Sequence, residues 1–143
     1  GMAGGQMFDL MADTETPDEA QIRRLQAMKT GALLRFACEG GAIFGGAQAD
    51  EIASMRRFGE VLGAAFQLAD DLLDLTADAA TMGKATGKDA AAGKGTLVEL
   101  LGEAAARVEL GRLVEEAMTC LDAFGESASL LRRTALYVAS RNH

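Results

Sequence analysis

The chain has 143 residues, of which 49% are hydrophobic, and a formal net charge of −7 from 14 basic and 21 acidic side chains. This length and hydrophobic content suffice for the core of one domain, and the negative charge argues against nucleic acid or an anionic membrane as the main partner. A single proline, no tryptophan and many alanines and leucines predict an all-α fold.

The two cysteines and the hydropathy pattern predict a cytoplasmic protein without stable membrane insertion. Cys38 and Cys120 lie in apolar helical surroundings and lack both Cys-x-x-Cys spacing and histidine partners, which is typical of reduced thiols. No apolar run reaches the roughly 18 residues that a spanning helix needs. His143 is the only histidine and stands at the end of the sequence, so we expect no histidine-based catalysis.

The first predicted elements are two helices separated by a polar loop. Residues 1 to about 11 are expected to be the last turns of a helix, in which Gly4 and Gly5 permit close packing. Thr16 and Glu19, with Pro17 at the first helical position, predict a capping box that starts the second helix.

The second helix is predicted to end near Lys29 and Thr30, where a third helix begins. On its own, Lys29 is most simply a surface lysine. The third helix is expected to be mostly buried because it carries a run of large apolar residues, namely Leu33, Leu34, Phe36, Ala37, Ile43 and Phe44.

The fourth helix is predicted to start at an Asp50 cap and to run to about Thr76. Its polar residues at i, i+3, i+4 and i+7 share one face of an otherwise apolar helix, and they are Gln67, Asp70, Asp71 and Asp74. Carboxylates on a buried helix require a cation, and their hard oxygen donors suit Mg²⁺, with Mn²⁺ as a possible substitute. The alternative is a solvated acidic face.

The segment from Ala77 to Gly95 is predicted to be a glycine-rich loop that covers a site. Its glycines allow the backbone to approach an anion, and its lysines supply mobile positive charge. The pattern is carried by Gly83-Lys84, Gly87-Lys88-Asp89 and Gly93-Lys94-Gly95. Three further helices are predicted over residues 96–101, 103–124 and 127–139, chiefly for packing.

These motifs together resemble trans-polyprenyl diphosphate synthases, within which the chain is most similar to the bacterial farnesyl and geranyl diphosphate synthase type. The resemblance runs over essentially the whole chain. Its anchors are Gly4-Gly5-Gln6 with Asp9-Leu10, Lys29-Thr30-Gly31, Phe66-Gln67, Asp70-Asp71-Leu72-Leu73-Asp74, Gly83-Lys84, Gly87-Lys88-Asp89, Lys94 with Thr96-Leu97, and Arg141-Asn142.

The resemblance implies an isoprenoid synthase-type helical bundle and a homodimer. Members of that family are about twice this length and carry a first aspartate-rich motif in their N-terminal half. We therefore expect residues 1–143 to be the C-terminal part of a single polyprenyl synthase domain, a fragment that is inactive by itself.

The resemblance also implies Mg²⁺-dependent, head-to-tail condensation of an allylic diphosphate with isopentenyl diphosphate. It assigns metal binding to Asp70, Asp71 and Asp74, and diphosphate binding to the lysines. The residues expected in the reaction are Lys29, Thr30, Gln67, Asp70, Asp71 and Asp74, with Lys29, Lys84 and Lys94 on the diphosphate and Gln6, Asp89 and Arg141 as further possibilities.

Three other functions remain open from the sequence. The chain could be a non-catalytic or regulatory subunit of a prenyl synthase, or a class I terpene cyclase with the same fold and the same Mg²⁺-diphosphate chemistry. It could also be a plain helical interaction domain, which would leave the glycine–lysine loop unexplained.

Overall fold

The computed structural model describes residues 1–11, 17–82 and 96–141, and in these ranges all the regular structure is helical. The expected all-α fold is therefore confirmed. The helices are α1 (Met2–Met11), α2 (Glu19–Gln26), a π-helical turn (Ala27–Gly31), α3 (Ala32–Phe44), α4 (Ala49–Met82), α5 (Leu97–Leu101), α6 (Glu103–Thr119), a 3₁₀ segment (Asp122–Ala128) and α7 (Ser129–Ser140).

Helices α2 and α3 form one continuous rod through the π-turn, although the sequence predicted a break near Lys29. The rod starts at Glu19, two residues later than predicted. Asp18, not Thr16, is the N-cap, and its carboxylate accepts from the backbone N–H of Gln21 while the Gln21 side chain accepts from the Asp18 N–H. Pro17 thus precedes the cap, and Thr16 lies outside the described residues.

The rod folds back onto α4 as an antiparallel helical hairpin in which the two backbones nearly touch. A Cβ added to Gly63 would lie 2.8 Å from the Cα of Gly31, and one added to Gly59 would lie 2.7 Å from the Cα of Arg35. Real Cβ atoms do not approach other atoms so closely. Glycine at these positions therefore fixes the separation of the two helices and the register between them.

Helix α4 is the centre of the fold, in contact with α2, α3, α5, α6 and α7. Phe58, Leu68 and Leu72 on this helix are almost completely buried. The helix extends to Met82, past the predicted end near Thr76, because alanines and threonines of that stretch continue the helix without a breaker. Asp50 lies inside the first turn and is not the cap.

The C-terminal helices follow the prediction with one correction. Thr96 caps α5 in a box with Glu99, so the helix predicted from residue 96 begins at Leu97. Helix α6 ends at Thr119 rather than near Phe124, and α7 begins at Ser129 after the 3₁₀ segment. Gly125 interrupts the helical path with a φ of +53°, a left-handed conformation that glycine adopts without strain.

The prediction that α3 is mostly buried is wrong. Four of its large apolar side chains are more than half exposed, with values of 52% for Leu33, 75% for Phe36, 54% for Ile43 and 93% for Phe44. The helix packs one face on α4, and within the described part of the chain no element covers the other face. The apolar residues of a helix show which face can be buried. They do not show whether the element that would cover that face is present.

Two smaller features concern the cysteines and the apolar character of the helices. Cys38 and Cys120 are free thiols, and burial raises the pKa of each. Within the described ranges no helix has both the length and the apolar character needed to cross a membrane.

A continuous chain of ion pairs joins α2, α6, α4 and α3 along the surface. The Arg23 guanidinium lies 3.4 Å from the Glu109 carboxylate of α6, and Arg57 of α4 pairs with Glu116 of α6. Arginines and glutamates alternate along this ion-pair chain in the order Glu19, Arg23, Glu109, Arg112, Glu116, Arg57, Glu60, Arg35, Glu39 and Arg56. Exposed pairs contribute little singly and more when they form a network.

Gly63→Ala is expected to destabilise the protein. The new methyl group would clash with the Gly31 backbone, and such overpacking costs about 1–3 kcal/mol. Gly111→Ala on α6 is the matched control, since a Cβ there meets nothing within 4 Å and removal of a helical glycine stabilises by roughly 0.5–1 kcal/mol. Urea unfolding monitored by circular dichroism measures both. A Gly63→Ala protein as stable as Gly111→Ala would contradict the close crossing.

Arg57→Met is expected to lower the melting temperature more at low salt than in 1 M NaCl. The substitution removes the cation between Glu116 and Glu60, and salt screens exposed pairs of this kind. Arg133→Met, an exposed arginine on α7 outside the ion-pair chain, is expected to have little effect at either salt concentration. An equal loss for Arg57→Met at both concentrations would show that packing rather than charge is responsible.

Candidate active site

The acidic face of α4 is open to solvent, although the helix that carries it is buried on its apolar sides. The Asp70 side chain is 47% exposed, and Asp74 is exposed at the end of the face. Asp71 is partly buried where α4 meets α2 and α5. The three carboxylates therefore have different surroundings although they are close in sequence.

Asp71 is the most strongly perturbed of these carboxylates. Burial, followed by the negative charges of Asp70 and Asp74, raises its pKa to about 6. Two hydrogen bonds act in the opposite direction: the Gln26 side-chain amide donates to Asp71 at 3.2 Å, and the backbone of Leu97 makes a second bond. A carboxylate in this position is stabilised by added positive charge.

The π-turn places Thr30 directly against the acidic helix. The Thr30 hydroxyl donates to Oε1 of Gln67 at 2.9 Å, and both side chains are partly buried. Lys29 is the neighbouring residue in the same turn and is also partly buried. π-Helical turns are rare and occur frequently at functional sites.

The glycine pair of α1 packs on the same turn. A Cβ added to Gly5 would lie 2.7 Å from the backbone N of Lys29, so the close-packing explanation of this glycine is correct. Gln6, the next residue, is exposed. The first helix thus supports the π-turn from the side opposite α4.

Arg141 connects the C-terminal end of α7 to the acidic face. Its guanidinium lies 3.3 Å from Oδ1 of Asp70 and 4.7 Å from the centroid of the Phe66 ring. The same side chain borders an apolar groove of about 500 Å³, whose other walls are Leu34, Leu62, Phe66, Thr134, Tyr137 and Val138. One end of an apolar groove is therefore next to a pair of opposite charges.

The donor set fits Mg²⁺ that arrives with a phosphate group, and it does not form a closed protein cage. Within the described ranges, no three acidic, histidine or cysteine side chains converge in a way that could hold a metal ion. Mg²⁺ binds typically through one or two carboxylates together with waters and substrate phosphates. Burial, followed by the negative charges of Asp70 and Asp74, raises the pKa of Asp71, and a nearby cation would stabilise the ionised carboxylates.

The structure brings Thr30 and Gln67 together by a hydrogen bond, with Lys29 next to Thr30 in the π-turn, and it adds Arg141 by direct contact with Asp70. Lys84, Asp89 and Lys94 lie outside the described residues. Sequence reasoning missed Gln26, which bonds to Asp71. A signal was available, because Gln26 and Thr30 are four residues apart, as are Gln67 and Asp71, and two antiparallel helices can pair such positions.

Comparison with known proteins agrees with this geometry. The profile of the family described as Polyprenyl synthetase matches residues 1–127. A dimethylallyltranstransferase from Fischerella ambigua is 38% identical over the whole of this chain, which covers 42% of that protein. Farnesyl diphosphate synthase from Escherichia coli is 36% identical, with 99% of this chain and 49% of that protein covered.

A solved structure gives the same result in three dimensions. The crystal structure of an FPP/GFPP synthase from Zymomonas mobilis superposes with a TM-score of 0.80 at 39% identity, over 96% of this chain and 45% of that one. The chain therefore spans less than half the length of these relatives. From the family profile and these relatives, the chain belongs to the polyprenyl synthetase family.

Proposed function

We propose that this chain provides one side of the active site of a Mg²⁺-dependent prenyltransferase, which condenses an allylic diphosphate with isopentenyl diphosphate head to tail. The observation that carries the proposal is the 2.9 Å hydrogen bond from Thr30 to Gln67. It places the turn that bears Lys29 alongside the carboxylates of α4. A turn with a cationic residue thus packs on the helix that bears the carboxylates, which supports binding of a metal–diphosphate complex there.

The two ends of the proposed site suit the two ends of a prenyl diphosphate. The groove bordered by Leu34, Leu62 and Phe66 is apolar and can take the hydrocarbon. Arg141 at the end of the groove lies beside Asp70, where the charged head would bind. Lys29 supplies positive charge from the π-turn, with Lys84 and Lys94 assigned to the diphosphate by the family resemblance.

In the proposed mechanism, the main task of the protein is to position charges in a site from which water is excluded. Asp70 and Asp74 would hold Mg²⁺ directly or through water, with Asp71 contributing to the same negative field, and the bound metal would stabilise the departing diphosphate. Lys29 would neutralise further negative charge on that group. The hydrogen-bonded oxygens of Thr30 and Gln67 would lie beside the allylic cation as it develops.

The double bond of isopentenyl diphosphate would attack this cation, and a proton would then leave to the released diphosphate. The apolar walls formed by Leu62 and Phe66 would exclude water, which would otherwise capture the cation. No nucleophilic side chain is required. Gln6 and Asp89 remain possible contributors to substrate binding.

The remaining features of the proposal concern assembly and location. Residues 1–143 would form the C-terminal part of one polyprenyl synthase domain, in a cytoplasmic homodimer. The exposed apolar side chains of Phe36 and Phe44 support further helix packing on α3. Mn²⁺ would be a possible substitute for Mg²⁺, because both ions prefer oxygen ligands.

Asp70→Asn is expected to weaken Mg²⁺-dependent binding of geranyl diphosphate by about tenfold or more, because the substitution removes the carboxylate charge at the end of the groove, beside Arg141. Isothermal titration calorimetry with and without Mg²⁺ measures the effect. Asp122→Asn is the matched control, since that exposed aspartate lies in the 3₁₀ segment. Binding by the unaltered chain that does not depend on Mg²⁺, or equal affinities for the two variants, would refute the metal role.

Product formation tests the complete reaction. The chain is incubated with geranyl diphosphate, isopentenyl diphosphate and Mg²⁺, and products are identified by mass spectrometry. Farnesyl diphosphate would support prenyl transfer, whereas a cyclised hydrocarbon would identify a terpene cyclase. Absence of product is the result expected of a fragment, so the same assay on a chain extended upstream of Gly1 then decides between a prenyltransferase fragment and a non-catalytic subunit.

A further inference from the structure

We propose that Gln26 is a positioning residue that, through Asp71, fixes the π-turn carrying Lys29 and Thr30 against the acidic helix. This inference rests on the proposed function for its meaning, since it concerns how the same site is kept in register. Gln26 would not touch the substrate. It would act through the residues of the turn that follows it.

Two side-chain hydrogen bonds join the rod to α4 in matching positions. Gln26 donates to Asp71 at 3.2 Å, and Thr30 donates to Gln67 at 2.9 Å. The donors are four residues apart on one helix, and the acceptors are four residues apart on the other. In an antiparallel pair of helices this spacing places the two hydrogen bonds about one turn apart, on the same side of the contact.

The Gln26–Asp71 hydrogen bond lies at the point where the helix changes from α-helical to π-helical geometry. Gln26 is the last residue before the π-turn of Ala27–Gly31. A π-turn has one more residue per hydrogen-bonded ring than an α-turn, so it shifts the direction of every side chain that follows. One contact just before the turn and one within it therefore fix the direction in which Lys29 projects.

Asp71 is suited to this task because it is also held from a third element. The backbone of Leu97, the first residue of α5, hydrogen-bonds to the same carboxylate. Asp71 therefore joins α2, α4 and α5, whereas Asp70 contacts Arg141 near the groove. In this proposal the neighbouring aspartates have different roles, because Asp71 positions the turn and Asp70 faces the ligand.

Amide hydrogen exchange of the 143-residue chain tests the positioning role. Gln26→Met keeps the side-chain length and helix propensity but removes the donor. We expect the amides of residues 27–31 to exchange about fivefold faster or more, with those of α6 unchanged, because the loss is local opening rather than global unfolding. Gln48→Met, the same substitution at an exposed position before α4, is expected to change neither region.

A second measurement applies if Gln26→Met disturbs the fold more widely. Gln26→Lys restores a donor and is expected to return the exchange of residues 27–31 towards that of the unaltered chain. In a double-mutant cycle with Asp71→Ala, the two losses of melting temperature should be less than additive, because each substitution removes the same bond. Additive losses, or faster exchange in α6 to the same extent, would overturn the proposal.

Binding of inorganic pyrophosphate with Mg²⁺ separates this inference from the proposed function. If the unaltered chain binds pyrophosphate and Gln26→Met binds it several-fold more weakly, with local faster exchange, both are supported. Equal binding and equal exchange in Gln26→Met would overturn the positioning role alone. Failure of the unaltered chain to bind would count against the proposed function, and the exchange result would still decide the role of Gln26 in the turn.

Discussion

The close approach of two helix backbones is the constraint on which the site depends. Gly63 faces the Cα of Gly31, and Gly59 faces that of Arg35, at separations that exclude any side chain. Because the backbones nearly touch, short polar groups such as the Thr30 hydroxyl and the Gln67 amide can meet directly. A wider crossing would require longer side chains, whose greater freedom would position charges less accurately.

The three carboxylates of the acidic face have different neighbours, and they therefore suit different roles. Asp71 is held by a side-chain amide and a backbone group, both neutral donors within packed structure. Asp70 faces a guanidinium from the end of α7 at 3.3 Å, a partner on a partly exposed side chain. Neutral donors in fixed positions orient a carboxylate without cancelling its charge. At an exposed ion pair, by contrast, another cation can replace the guanidinium at a small cost in free energy. Asp74 is left to solvent, so negative charge remains available at the open end of the face.

The sequence predicted the parts of this arrangement that depend on local pattern. The spacing of Gln67 and Asp70 and the helical pattern from residue 96 are local, and the structure agrees with the helices that they predict. The π-turn was not predicted, because no residue type signals an i to i+5 bond and its formation depends on packing against α4 and α1. The burial of α3 was predicted wrongly, since Phe36 and Phe44 have a partner only if one is supplied by structure beyond the described residues. Arg141 could be suspected only from the family resemblance, because its contact with Asp70 spans 71 positions in sequence.

Two apolar grooves lie along α3 and α4, and of these two the one that Leu34 borders has a charged side chain, Arg141, in its lining. A second groove of about 470 Å³ lies towards the other end of α3, where Ala37, Gly41 and Met55 form nearly apolar walls. A hydrocarbon gains about 25 cal/mol for each Å² that it buries against such surfaces, wherever along them it lies, so apolar contact alone cannot fix its position. A charged head can be accommodated at the end beside Arg141 and Asp70, where it replaces lost hydration with hydrogen bonds and opposite charge. Under the proposed function, the position of a prenyl diphosphate along α3 and α4 would therefore be set by where its charged head can bind, and its affinity by how much of its hydrocarbon tail is covered.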